Sequence, residues 1–65
     1  MRIDTEFIKL DSFLKMVDAV SSGGEAKILI LDGQVTVNGE PETRRGRKLH
    51  VGDCVMLGRK QYVVE

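Results

Sequence analysis

The chain has 65 residues, 42% of them apolar, with ten Lys/Arg balancing ten Asp/Glu, one histidine and one cysteine. One domain is all this length allows, and it buries only roughly 60% of the surface of its unfolded chain, so a deep water-free catalytic pocket is disfavoured and a shallow binding face favoured. Cys54 stands alone, which excludes an internal disulfide and a zinc site on paired cysteines and fits a reducing, cytoplasmic setting.

The amino-terminal "MRIDTEFIKLDSFLK" alternates charged and apolar residues without the continuous apolar stretch of a signal peptide or membrane span, so no membrane partner is expected. Its "TEFIK" is a short strand or an extended lead-in. From Leu10, the apolar Leu10, Phe13, Leu14, Val17 and Val20 recur at helical spacing, with Asp11, Lys15 and Asp18 left for the other side. Asp11 and Ser12 lie at the start of this first amphipathic helix, where they oppose the helix dipole and accept bonds from free N–H groups. Ser22 and Glu25 have capping-box spacing before an apolar run closed by Gly33, which predicts a second helix from about Gly23 to Leu31. Few residues join the two helices, so they should pack as a pair.

After Gly33 the period changes to two. Val35 and Val37 share one face, and Asn38-Gly39 is a strong signal for a type I′ turn. Glu40 begins the return path, Pro41 limits pairing there, and Leu49 and Val51 resume alternation beyond a basic segment. A turn at Gly52-Asp53 leads into a strand from Val55 to Leu57, and "GRK" reverses the chain into a last strand from Gln61 to Val64. The order predicts an α+β domain: two short packed helices followed by a small, mostly antiparallel sheet, with no internal repeat.

Chemistry-bearing residues are sparse. His50, between Leu49 and Val51, lacks visible partners for general-base or metal work and reads as a strand histidine with one edge in water. Cys54 reads as a small half-buried packing residue. Asp4, Glu6, Asp11 and Asp18 form neither a metal-binding loop nor an acid–base pair, so no metal, cofactor, catalytic residue or small-molecule substrate is expected. "SGGEAK" lacks the arrangement of a nucleotide-hydrolysing P-loop. A nucleic-acid phosphate at Gly23 and Gly24 and a plain glycine-rich cap both account for it.

The zero net charge conceals an asymmetry. Residues 1–43 carry four Lys/Arg against eight Asp/Glu and residues 44–65 carry six against two, so the halves carry about −4 and +4. Arg44, Arg45, Arg47 and Lys48 crowd around Gly46 in "TRRGRKLH". A cation cluster is ordinarily a solvated loop; here arginine predominates, its planar fork suits phosphate oxygens, glycine lets the backbone approach a ligand, and both flanks are anchored. Phe7, Phe13 and Tyr62 are the only aromatics; both phenylalanines read as core and Tyr62 as packing, which argues against base stacking on a single strand.

Together "KLDSFLK", "SSGGEAK", "GQVTVNGE" and "VGD", ordered across roughly Lys9 to Val55, resemble the RNA-binding domain of the type found in the fourth protein of the small ribosomal subunit, the alpha-L RNA-binding motif. The likeness extends to the small stand-alone members of the YaaA and YbcJ type, in which an arginine-rich segment follows a "VNGE"-like turn. The resemblance implies a two-helix face joined to a small sheet, with structured RNA, ribosomal or ribosome-associated, recognised across the joint without catalysis. By position, Lys9 sits at the start of the first motif, Lys27 matches a basic position of the family, and Thr36 stands where many relatives are basic. An arginine often found after the serine of the second motif is absent, since Gly23 follows Ser22, so phosphate binding is expected to shift toward Arg44, Arg45, Arg47 and Lys48. A second reading of the same segment is a protein-interaction adaptor docking an acidic partner. The oligomeric state is open.

Overall fold

The computed structural model describes residues 5–65; the opening of the alternating amino-terminal stretch, with Asp4, lies outside the described residues. The lead-in becomes a two-residue strand, β1 (Ile8–Lys9), which runs directly into helix α1 (Leu10–Met16). The apolar spacing through Val20 predicts a longer helix than forms. Val17 is already the C-cap, Asp18 turns left-handed at φ 58°, and the N–H groups of Ala19 and Val20 both return to the Leu14 carbonyl. Val20 still reaches the core, but from the connection rather than from a helix. α1 also lacks the expected side-chain cap: its N-cap is Lys9, which makes no such bond, and Asp11 Oδ1 accepts only from the adjacent Ser12 N–H at 2.8 Å.

Helix α2 spans Gly23–Leu31, as the capping signals predict. Ser22 Oγ accepts from the Glu25 N–H at 3.2 Å, while Glu25 Oε1 reaches back to the N–H of Ser21, one residue beyond the usual target, at 2.8 Å. At the other end Gly33 takes φ 79°, its N–H bonds the Ile30 carbonyl, and the Gln34 N–H bonds that of Leu29. This paired pattern is a Schellman termination, and the left-handed residue it requires explains the glycine.

Strand β2 (Val35–Val37) turns through Asn38 and Gly39, at φ 53° and 87°, into β3 (Glu40–Pro41), as the type I′ signal predicts. The main sheet has the order β3-β2-β5-β6, all antiparallel, with β5 at Cys54–Leu57 and β6 at Lys60–Val63. Pro41 lies on its edge. The basic segment does not lead back into this sheet. β4 (Lys48–Leu49) pairs with β1 instead, placing Ile8 opposite Leu49 and Lys9 opposite Lys48. Val51, expected to resume the alternation, lies exposed in a turn.

The core lies between the helix pair and one face of the sheet: Leu10, Phe13 and Leu14 of α1 meet Ala26 and Ile30 of α2 and Val35, Val37 and Val55 of the sheet, joined by Leu49 and Val64. Each such buried large side chain contributes about 1.5–3 kcal/mol relative to exposure. Tyr62 packs edge-on against Phe13, with ring centroids 6.4 Å apart. Phe7 departs from expectation: it is half-buried outside this cluster, beside the basic segment.

Candidate nucleic-acid interface

The basic segment is held by its backbone at both flanks. At its start the Glu42 N–H bonds the Val35 carbonyl at 3.0 Å, tying the segment to β2, and the Arg47 N–H closes a turn on the Arg44 carbonyl at 3.3 Å. The carbonyls of Arg47 and Arg45 then accept from the N–H groups of Leu10 and Asp11 at 2.9 and 3.2 Å. The segment therefore supplies the cap that α1's own side chains do not, satisfying donors that a helix start leaves open. Gly46 takes no left-handed conformation, and a Cβ there would meet nothing within 4 Å. Gly46 lines a concavity of about 510 Å³ together with Arg44, Arg47 and Lys48.

The four cations differ in their surroundings. Arg44 and Arg47 share the carboxylate of Glu42, with Nε of Arg44 at 3.1 Å from Oε2 and Nη1 of Arg47 at 2.7 Å from Oε1. Hydrogen bonds from Arg44 and then Arg47 hold the Glu42 carboxyl down at about 2, and the same contact raises the Arg44 guanidinium above its ordinary value. Arg45 makes a longer pairing, 3.5 Å, with Asp11 on the first turn of α1. The Lys48 ammonium lies over the Phe7 ring, 4.8 Å from its centroid, with the His50 ring 6.4 Å from that of Phe7. His50 follows β4 and is exposed; its backbone N–H donates to Asp53 Oδ2 at 2.8 Å, the main cause of a lowered Asp53 pKa.

Around this segment the fold gathers residues distant in sequence. Lys9 on β1 is the direct cross-strand partner of Lys48, an arrangement of like charges that costs energy unless an anion shares it. At the start of α2, a Cβ on Gly23 would lie 3.9 Å from Nη2 of Arg45 and 4.0 Å from Nζ of Lys15. The position where the family often carries an arginine therefore borders two cations delivered by other segments. Lys27 is exposed one turn further along α2 on the same side as Gly23, and Gly24 adjoins the capping hydroxyl of Ser22. Thr36 lies on the face of β2 opposite the buried Val35 and Val37, paired with Pro41 and Met56.

Sequence reasoning reads Asp11 as a helix-start residue, Lys15 as the outer side of α1 and Phe7 as core, and passes over Glu42. Asp11 and Phe7 find their partners in another segment, Arg45 and Lys48 respectively, and Lys15 borders Gly23 together with Arg45. Glu42 instead pairs with arginines two and five residues further along its own segment, a local spacing that the sequence reading does not use. Among the described residues no group of three or more His, Cys, Asp or Glu could hold a metal ion, and no helix is long and apolar enough to cross a membrane.

A helix pair on a small antiparallel sheet defines a small α+β domain. The sequence model of the S4 domain family matches residues 1–65, and the chain belongs to that family. It is 57% identical over 55 residues, 85% of this chain and 78% of the relative, to a Bacillus subtilis protein named "Probable ribosome maturation protein RlbA". It is 42% identical over 48 residues, 74% of this chain and 69% of the relative, to an Escherichia coli protein named "Putative RNA-binding protein YbcJ".

Proposed function

We propose that this protein is a non-catalytic RNA-binding module of the cytoplasm that recognises structured RNA, ribosomal or ribosome-associated, through the surface around Arg44, Arg45, Arg47 and Lys48. The observation that carries this reading is the linked set of cations from separate segments. Lys9 faces Lys48, Lys48 lines a concavity with Arg44 and Arg47, and Arg45 and Lys15 both border the Gly23 end of α2. The names of the two relatives, one for ribosome maturation and one for RNA binding, support it. A-form RNA hides its major-groove edges and displays a wide, shallow minor groove, so a fixed array of cations selects helix shape, bulges and backbone geometry over base sequence. Lys27, Gly23 and Gly24 extend the array along α2.

The choice of variants follows from the ion pairs. Reversing Arg44 or Arg47 would place new anions beside the Glu42 carboxylate and confound folding with binding. Arg45→Gln with Lys48→Gln leaves that pair intact. For this double variant, affinity for a synthetic bulged RNA hairpin should fall and the log–log salt slope should flatten by about 1–2, one increment per lost phosphate contact. Unchanged affinity and slope in a folded variant would place the RNA surface elsewhere. Capture from cell extract supplies the complementary test: partners released by ribonuclease support the RNA reading, whereas complete retention supports an acidic protein partner.

A further inference from the structure

Glu42 is the one polar or charged residue buried among the described residues, 6% exposed, while the rest of the buried set is apolar. A buried carboxylate is costly unless paired and fully hydrogen-bonded, and exchanging such a pair for apolar side chains is often neutral or stabilising. Here Arg44 is largely exposed and the pairing lowers the carboxyl's pKa, so stability is one reason for this arrangement. Its geometry gives another. The Glu42 backbone is fixed to β2, and its carboxylate accepts from the backbone N–H, Nε and Nη2 of Arg44 and from Nη1 of Arg47. Two guanidinium groups on either side of a turn are thus gripped by one anchored anion. Arg44 nevertheless remains 74% exposed along its side chain, so its remaining donors stay available at the rim of the concavity.

We infer that Glu42 is a positioning residue of the RNA-binding surface, holding Arg44 and Arg47 in their binding geometry before RNA arrives. The inference rests on the reading of this segment as RNA-facing. Arginine side chains lose substantial rotamer freedom when they are ordered on a ligand, and a scaffold that has already ordered them removes that cost from the binding step. The carboxylate opposes binding in one respect, because it places a negative charge close to the phosphates. Simple electrostatics and positioning thus make opposite forecasts for Glu42→Gln, which keeps the shape and loses the charge.

The test is binding of the bulged RNA hairpin to Glu42→Gln, compared with wild type and with a triple variant that adds Arg44→Gln and Arg47→Gln. Positioning predicts that Glu42→Gln weakens binding by about five- to hundredfold, from ordering two rotamer-rich side chains. The salt slope should remain near that of wild type, because the number of cations is unchanged. Equal or tighter binding by folded Glu42→Gln, with the triple variant impaired, overturns the inference and leaves the RNA surface standing. Wild-type binding that neither the triple variant nor Arg45→Gln with Lys48→Gln affects overturns the RNA surface itself. If Glu42→Gln does not fold, wild-type protein decides the matter through nitrogen relaxation of the arginine Nε–H groups. Arg44 and Arg47 should be more ordered than the exposed Arg59 in the absence of RNA, and equal mobility would overturn the inference.

Discussion

Glu42 is buried and pairs with two arginines of its own segment. Its carboxyl titrates at about 2 because Arg44 and Arg47 bond its charged form, whereas in the unfolded chain it returns to the ordinary carboxylate range. The depressed folded value means that its stabilisation is complete above that ordinary range and is lost as the pH falls toward about 2. Chemical denaturation of wild type between about pH 5 and 2 should therefore show a steeper fall in stability than Glu42→Gln, and equal slopes would contradict the pairing. Asn38 is a second residue with more than one task. It holds the left-handed turn at φ 53°, accepts from the Cys54 N–H at 3.0 Å and donates to Asp53 Oδ1 at 3.2 Å. Asn38→Ala loses both bonds and the tolerance for this backbone, with an expected cost of about 1–3 kcal/mol measured by denaturant unfolding.

The two helices stop and start for different reasons. α2 is locally specified: Ser22 caps it and Gly33 ends it. Ser22→Ala should cost about 1 kcal/mol, lowering Tm by about 4–8 °C in a domain of this size. Gly33→Ala should cost a similar ~1 kcal/mol for conformational reasons alone, since a Cβ there would meet nothing within 4 Å. α1 depends on the tertiary fold instead, since the carbonyls of Arg45 and Arg47 receive its first N–H groups. Its start and the basic segment therefore form together. Only seven residues long, α1 gains little from local propensity, and the burial of Leu10, Phe13 and Leu14 holds it.

At the scale of the molecule, the β1–β4 pair joins the basic surface to the core. Leu49 follows Lys48 in β4 and is fully buried, so core packing fixes the strand that presents the cation. Leu49→Ala should cost about 2–5 kcal/mol, much of the stability of so small a domain, and thermal unfolding would register it as a large fall in Tm. RNA affinity should fall in parallel only to the extent that the protein unfolds. Charge is also unevenly spread at this scale: a chain neutral overall carries four of its ten Lys/Arg residues between positions 44 and 48, so a local positive field needs no basic total.

The sequence by itself determined α2, the Asn-Gly hairpin, the last two strands and the α+β order, because caps, turn residues and period-two alternation act over a few neighbouring positions. It also marked Arg44, Arg45, Arg47 and Lys48 as the residues most suited to phosphate. Tertiary structure decided what touches them. The apolar spacing through Val20 overstated α1, because a helical period records which residues reach the core and not whether the chain stays helical on the way. The alternation around Leu49 and Val51 likewise concealed that β4 pairs with β1, since periodicity names a buried face but no partner strand. The partners of Asp11 and Phe7 were hidden for the same reason. An ion pair or a ring contact between distant segments leaves no local pattern, and it exists only once the backbone has brought the two sides within a few ångströms.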